Sequence, residues 1–195
     1  MIYDGKRLYF ADSRDAMDHG FALVTEERKF NGMFGKASIE FNTTITNLAS
    51  YKSNGILSSR KLFEAATREV EQMKTKCVSV DEIITSLSGG NQQKVALAKL
   101  LRSKLKVLIV DEPTKGIDVG AKYSIYTIMN ELAASGYAII MISSEMPEVL
   151  GMADRIIVMK NGRVTAELER GEADQEKILR AAITSVNEQH RQEAV

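Results

Sequence analysis

The residues best suited to phosphate chemistry lie between positions 87 and 118. Ser88, Gly89 and Gly90 come directly before an apolar-periodic run that extends from Val95 to Leu101. Ser88 is predicted to cap a helix there, because a serine hydroxyl can accept a hydrogen bond from an otherwise unpaired backbone N–H. The two glycines have no Cβ, which lets a ligand approach the backbone closely. A helix amino end with unpaired N–H groups attracts phosphate, so the pattern predicts a phosphate-binding turn.

Two acidic residues follow the next apolar run. The stretch 107–110 is continuously apolar, as expected for a strand buried on both faces of a parallel sheet, and it leads into Asp111 and Glu112. Open α/β sheets bind ligands at the carboxyl ends of their strands. One carboxylate suits Mg²⁺, and the next suits orienting an attacking water. The alternative is a capped surface helix followed by a core strand with a solvated acidic end. The order of all these features argues against it.

The overall composition excludes several classes of protein. The chain has 195 residues, with 44% hydrophobic and 27% charged residues, which is ordinary for one globular domain or most of one. Lys plus Arg and Asp plus Glu both number 26, and this balance argues against a nucleic-acid-binding protein. The sequence contains no apolar run of membrane-spanning length and no signal-peptide pattern. Its single cysteine, Cys77, is expected in the core.

The elements that position these residues indicate an α/β protein. Asp4-Gly5 and Asn161-Gly162 each predict a hairpin. Short strands are predicted at 21–24, 107–110 and 138–142, and a helix after Asp118 that ends near Gly136. Further helices are predicted at 13–17, 39–48, 59–73 with Ser59 as the cap and 62, 63, 66 and 70 on one face, and 175–183 with Asp174 as the cap and 178, 179 and 183 facing inward.

At these residues the sequence resembles the ATP-binding cassette family. The similar motifs are a signature loop at 87–93, a Walker B strand at 107–111 with Glu112 at the catalytic-glutamate position, and a D-loop at 116–118. The resemblance implies an ABC-type P-loop NTPase fold, with a RecA-like parallel sheet and a helical subdomain. It covers residues 1–183, of which about 30–100 would form the helical subdomain and the signature helix. Residues 184–195 are expected to be a frayed tail.

The identities of individual residues in the motifs narrow the resemblance to one subgroup of the family. Asn91 in the signature loop is typical of the second nucleotide-binding half in monosaccharide importers, and the stretches 19–28 and 142–151 are similar to the galactose/methyl-galactoside importers. The resemblance implies a protein on the cytoplasmic face of the inner membrane that acts with ATP and Mg²⁺. Its implied partners are a membrane permease, a first nucleotide-binding half or a second cassette copy and, indirectly, a periplasmic sugar-binding protein. No nucleic-acid partner is expected.

The resemblance also implies roles for individual residues. Glu26 stands at the Q-loop position and Ser144 at the switch-histidine position, where a serine cannot act as a cation. Without the family pattern, residues 26–29 would read as a solvated charge cluster. The implied nucleotide contacts are Ser88, Gly89, Gly90, Asn91, Gln92 and Asp118; the implied Mg²⁺ ligands are Asp111 and Glu26; and the implied catalytic residues are Glu112 and Ser144.

The sequence contains no G-x-x-x-x-G-K-[ST] phosphate loop, the element called Walker A. The pattern is that of a cassette half that lacks its amino-terminal strand, loop and helix. We therefore expect this chain to hydrolyse no ATP alone and to supply its signature loop to a partner's ATP site. Unpaired sheet edges would favour association, including a homodimer. The alternatives are a non-catalytic remnant that binds a partner cassette or permease, and a cassette ATPase of DNA repair or translation. The neutral charge argues against the second.

Overall fold

A computed structural model describes residues 2–101 and 105–183, which form two compact units that meet in sequence between Ile142 and Ser143. The strands are β1 Ile2–Tyr3, β2 Lys6–Arg7, β3 Phe21–Val24, β4 Lys52–Ser53, β5 Ile56–Leu57, β6 Val107–Asp111, β7 Ala138–Ile142, β8 Arg155–Lys160 and β9 Arg163–Glu169. The α-helices are α1 Ser13–Asp18, α2 Ile39–Thr44, α3 Ser59–Gln72, α4 Gly89–Ala98, α5 Val119–Ala134, α6 Met146–Met152 and α7 Gln175–Ile183. A π-helical turn covers Arg28–Gly32, and 3-10 turns cover Ile45–Tyr51 and Ile84–Ser86.

The first unit contains a parallel sheet whose strands follow the order β3-β6-β7. The central strand β6 pairs on both sides, so that Val24, Val110 and Met141 lie side by side. Leu108 and Val110 are fully buried, as the continuous apolar run predicts. The predicted α/β fold with a parallel sheet and helices is confirmed, and β6 carries Asp111 to the carboxyl edge of the sheet.

The edge strand β7 is more exposed than expected. The sequence predicts a buried strand at 138–142, but Ile140 and Ile142 are each about half exposed. Across the sheet, Leu23 on β3 is in register with Ile109, and Ile109 with Ile140. Because Leu23 is also half exposed, one apolar face of the sheet is open along this row.

Helices α2, α3 and α4 share the main helical core of the first unit. Ile39, Ala66 and Val95 meet there and exclude water, and Cys77 packs against them as predicted. Two expectations for α3 are wrong. Ser58 rather than Ser59 is the cap, since its hydroxyl accepts from the backbone N–H of Lys61. The side chain of Phe63 points away from the core and is 43% exposed.

The second unit is a hairpin covered by helices. Strands β8 and β9 pair through the turn at Asn161 and Gly162, whose φ values of 49° and 75° are those of a tight hairpin turn. Helix α7 buries Ile178 against the hairpin. The other two residues predicted to face inward, Leu179 and Ile183, are exposed, because the buried face of α7 continues through Ala181 instead.

Several short elements escaped the sequence analysis, and one predicted helix is shorter than expected. Helix α6 and the β4–β5 hairpin were not predicted from the sequence; the hairpin turns at Asn54-Gly55 with φ values of 50° and 85°. The helix predicted at 39–48 ends as α-helix at Thr44 and continues as a 3-10 turn. The predicted tail 184–195 and His190 lie outside the described residues. No helix in the described part of the chain is both long and apolar enough to span a bilayer.

Glycine 136 is expected to be required for the exit from α5. Its φ is +92°, which an L-residue adopts only at a cost, so Gly136→Ala should lower the free energy of unfolding by about 1–2 kcal/mol in chemical denaturation. Gly151 is the matched control, because it lies inside α6 with open space around its Cβ position. Gly151→Ala should raise stability by about 0.5–1 kcal/mol. Equal effects of the two substitutions would contradict the conformational explanation.

Candidate functional site

The amino end of α4 begins at the exposed Ser88 and the partly buried Gly89, and it lacks a side-chain cap. Ser88 occupies the cap position, but its hydroxyl makes no capping bond to the backbone, contrary to the sequence prediction. Instead, Ser88 Oγ accepts from Asn91 Nδ2 at 3.1 Å. The hydroxyl is drawn toward the side of the turn, which leaves the first backbone N–H groups of α4 without that acceptor. The end of the helix therefore keeps the donors that an anion would use.

Polar side chains hold this turn in place. Asn91 Oδ1 accepts from the backbone N–H of Lys76 at 3.1 Å, which fixes the amide orientation that points its Nδ2 at Ser88. Gln92 is buried, and its Nε2 donates to the carbonyl of Leu87 at 2.9 Å. In this arrangement Asn91 orients the Ser88 hydroxyl, and the buried Gln92 stabilises the turn through its bond to Leu87.

The second glycine of the turn is explained by helix packing. A Cβ at residue 90 would lie 2.5 Å from the Cβ of Ala121, far inside contact distance. Ala121 belongs to the first turn of α5, which Asp118 caps by accepting from the N–H of Ala121 at 2.9 Å. The missing side chain at Gly90 thus allows the amino ends of α4 and α5 to meet, which differs from the reason that the sequence suggested.

The acidic pair lies where β6 leaves the sheet. Asp111 is the last residue of the strand and pairs with Ile142. Glu112 follows with a φ of +47°, in the left-handed region that a glutamate rarely adopts, and its N–H donates to the Ile142 carbonyl at 2.9 Å. The neighbouring strand therefore fixes the unusual backbone of Glu112. The side chains of Asp111 and Glu112 therefore extend from successive residues that have different backbone conformations.

A buried arginine connects the segment after β3 with this region. Arg28 is only 7% exposed, and its Nη1 donates to the carbonyl of Lys115 at 3.0 Å. Burial lowers the pKa of Arg28. Its Nη2 lies 3.0 Å from the position that a Cβ on Gly89 would take. For Arg28, the alternative of a solvated charge cluster is therefore wrong.

Glu26 forms an ion pair with the ammonium group of Lys115. The hydrogen bond from Lys115 to Glu26 raises the pKa of Lys115. Lys115 is thus held twice, by Arg28 through its carbonyl and by Glu26 through its side chain. The segment 26–28 and the turn 112–118 are connected at this one residue.

Ser144 lies in the second unit and is exposed. The preceding Ser143 donates to the carboxylate of Glu148 and accepts from the N–H of Glu145 at 3.1 Å. Glu148 is buried, and its second oxygen, Oε1, has no hydrogen-bond partner among the described residues. These contacts shape the start of α6 next to Ser144.

The first unit brings together most of the predicted site residues. The α4 turn with Ser88 and Gly89 contacts Arg28 and Gly116, and Gly90 contacts the start of α5. Sequence reasoning missed the structural importance of Arg28 and Lys115. Neither has a local signal, because an arginine in the run 26–29 looks like any surface charge until the fold buries it. His19 is exposed, and its Nδ1 lies 2.8 Å from the carbonyl oxygen of Asp15.

The residues predicted to bind Mg²⁺ offer few ligands. No group of three or more His, Cys, Asp or Glu side chains within 2–101 and 105–183 could enclose a metal ion. One oxygen of the Glu26 carboxylate is already engaged by Lys115. Asp111 remains as a single carboxylate at the sheet edge. This suffices for a Mg²⁺ ion that is held mainly by phosphates and waters, but not for a site built of protein ligands alone.

Several known proteins are similar to this chain in sequence. The family model described as ABC transporter matches residues 2–115. The chain is 57% identical over 175 residues to "Galactose/methyl galactoside import ATP-binding protein MglA" of Treponema denticola, covering 90% of this chain and 35% of the relative. The protein of the same name from Clostridium perfringens strain 13 is 49% identical over 180 residues, covering 92% and 35%. The chain thus spans about a third of the length of these relatives.

Solved structures share the fold at low sequence identity. A nucleotide-free ATP-binding cassette from an ABC transporter superposes with a TM-score of 0.76 at 20% identity, covering 94% of this chain and 76% of that one. The ADP conformation of the cassette MJ1267 gives a TM-score of 0.69 at 21% identity, covering 92% and 70%. At such identities the likeness establishes the architecture alone.

The contact between Gly90 and Ala121 makes a testable prediction. Gly90→Ala should lower the free energy of unfolding by about 1–3 kcal/mol through overpacking. Ala121→Gly alone should cost about 1 kcal/mol of helix propensity. In the double variant the two costs should not add, because removing the Ala121 Cβ leaves its Cα at 3.7 Å from the new methyl group. Additive losses in urea unfolding would disprove the packing explanation.

Proposed function

The chain belongs to the ABC transporter family, and on this premise we propose that it works within the ATP-binding subunit of an importer for galactose-type sugars. The sugar class is inferred from the names of relatives that are 49–57% identical to this chain. Because the chain spans only about a third of their length, the proposal concerns the contribution of this part.

We propose that the turn 87–94 binds the phosphates of an ATP held by a partner cassette. The observation that carries this proposal is the uncapped amino end of α4, which begins at the exposed Ser88. Ser88 would donate from its hydroxyl, which Asn91 orients, and Gly89 and Gly90 would donate from their backbone N–H groups. Gln92 would act by holding the turn closed, and Asp118 by capping the helix that packs against it.

The acidic edge would serve a second nucleotide site. Asp111 would hold a phosphate-bound Mg²⁺, and Glu112 would orient water. When bound, Mg²⁺ would neutralise phosphate charge. In this proposal Glu26 is a ligand only after it leaves Lys115. Ser144 stands at the family's switch-histidine position, where a serine cannot supply the cation that a histidine would, so we expect weak turnover.

The proposed partners are the other nucleotide-binding half or a second cassette copy, a membrane permease and, indirectly, a periplasmic sugar-binding protein. The protein would then act at the cytoplasmic face of the inner membrane. A second candidate function is a non-catalytic cassette remnant that binds such a partner without nucleotide chemistry. Strands β3 and β7 lie at the two ends of the three-stranded sheet in the described part of the chain, and with the half-exposed Leu23 and Ile140 they support an association of this kind, including a homodimer.

The asymmetric roles of the two sites can be tested in a chimera. This chain replaces the segment that it matches in the Treponema denticola relative, and uptake of labelled galactose is measured. Ser88→Arg should abolish uptake, because the side chain would fill the anion-binding turn. Glu112→Gln should reduce uptake by less. Ser135→Arg is the control, since it places the same charge at the carboxyl end of α5, where a cation is favoured. Equal loss with Ser88→Arg and Glu112→Gln would refute the asymmetry.

The isolated chain should bind and hydrolyse ATP negligibly. The reason is that its sequence contains no G-x-x-x-x-G-K-[ST] loop to cradle the phosphates. Calorimetry with Mg-ATP should give no saturable heat at micromolar concentrations, and phosphate release should equal the buffer rate. Stoichiometric binding at micromolar affinity would overturn this expectation. Co-purification with a partner cassette that is indifferent to ATP would favour the non-catalytic alternative.

A further inference from the structure

We propose that the guanidinium of Arg28 supplies the fixed positive charge of the phosphate-binding turn, acting together with the backbone N–H groups of α4. The inference rests on the proposed function of that turn and adds to it a residue from a distant part of the chain. Arg28 belongs to the π-helical turn after β3, sixty residues before Ser88 in the sequence.

The position of the guanidinium carries the argument. Its Nη2 lies 3.0 Å from the Cβ position of Gly89, which is the first residue of α4. The carbonyl oxygen of Gly116 lies 3.3 Å from the same point. The arginine therefore lies against the uncapped amino end of α4. A side chain at residue 89 would press against this group, so glycine permits the contact.

The surroundings of Arg28 leave its charge poorly compensated. The side chain is more than nine-tenths buried, and its Nε has no hydrogen-bond partner among the described residues. Nη1 donates to the Lys115 carbonyl, which is a neutral acceptor. The nearby carboxylate of Glu26 is paired with the Lys115 ammonium instead. Burying an arginine without a carboxylate partner is costly.

The amino end of helix α4 adds further positive charge next to Arg28. A helix amino end carries a partial positive charge, so a cation beside it is unfavourable. Here a buried cation and an uncapped helix end are held next to each other. An anion at the turn would offset both charges at once, and a phosphate tail is the anion class that the proposed function brings there. Arg28 would thus be a positioning and electrostatic residue, with Gly89 and Ser88 making the direct contacts.

The test uses the isotopically labelled chain itself and inorganic tripolyphosphate as the probe. The N–H signals of Gly89 and Gly90 are followed by NMR during the titration at low ionic strength. The wild type should show saturable shifts at both glycines at about millimolar tripolyphosphate, which is weaker than the micromolar ATP binding that the isolated chain is expected to lack. Arg28→Gln should weaken the affinity about tenfold, and Arg28→Lys, which keeps the charge, should stay within about threefold. The difference should shrink as salt is added.

Two controls separate this role from a purely structural one. Arg14→Gln removes the same charge from an exposed position on α1 and should leave the affinity unchanged. Melting temperatures are recorded for every variant. If Arg28→Gln lowers the melting temperature but binds tripolyphosphate as tightly as the wild type, Arg28 is only a structural link. If Arg28→Lys is as weak as Arg28→Gln, the charge is not the reason.

The outcomes also separate this inference from the proposed function. Wild-type binding at Gly89 and Gly90 that is unaffected by Arg28→Gln would refute the role of Arg28 and leave the turn as a phosphate site. A wild-type chain whose two glycine signals do not respond would refute the role of Arg28 in this chain. The uptake assay with Ser88→Arg would then decide the function of the turn independently.

Discussion

The close contact between Gly90 and Ala121 is the constraint on which the site depends. It brings the amino end of α4 against the first turn of α5, whose start is fixed in turn by Asp118. Since α5 follows directly on the turn after β6, the helix end, the acidic residues and the sheet edge are positioned by one continuous set of contacts. Packing and ligand binding therefore place their demands on the same few atoms.

The charged groups around this contact form a second set of interactions. Lys115 accepts from Arg28 through its carbonyl and pairs with Glu26 through its side chain, so the segment after β3 is attached to the turn 112–118 at two points. The exposed ion pair contributes little stability by itself, as is usual for such pairs. The buried arginine has a larger energetic effect. Its loss of hydration costs free energy, and another interaction in the working protein has to offset that cost. The electrostatics of the site therefore connect segments that are far apart in sequence.

The sequence predicted those features that depend on local rules. The apolar run of β6, the helix after Asp118 and the Asn161-Gly162 turn all follow from short-range physics, and the structure contains each of them. Prediction from the sequence failed where tertiary contacts determine the position of a side chain. Ser88 has the right residue type for a cap, yet its hydroxyl is taken by Asn91. The burial of Arg28 and the exposure of Ile140 depend on which elements cover them, which no local pattern encodes. The roles of all the predicted site residues, Ser144 and Glu26 among them, stay predictions.

The left-handed backbone of Glu112 affects how any replacement of that residue is to be interpreted. A glutamate at a φ of +47° carries a conformational penalty of about 1–2 kcal/mol, which the hydrogen bond to Ile142 and the surrounding turn must outweigh. Asparagine tolerates this region better, whereas a β-branched residue tolerates it worse. Exchanges that remove the carboxylate therefore also change the strain, and in opposite directions for different side chains. Glutamine, which keeps the shape and the backbone preference of glutamate, is the replacement that isolates the chemistry.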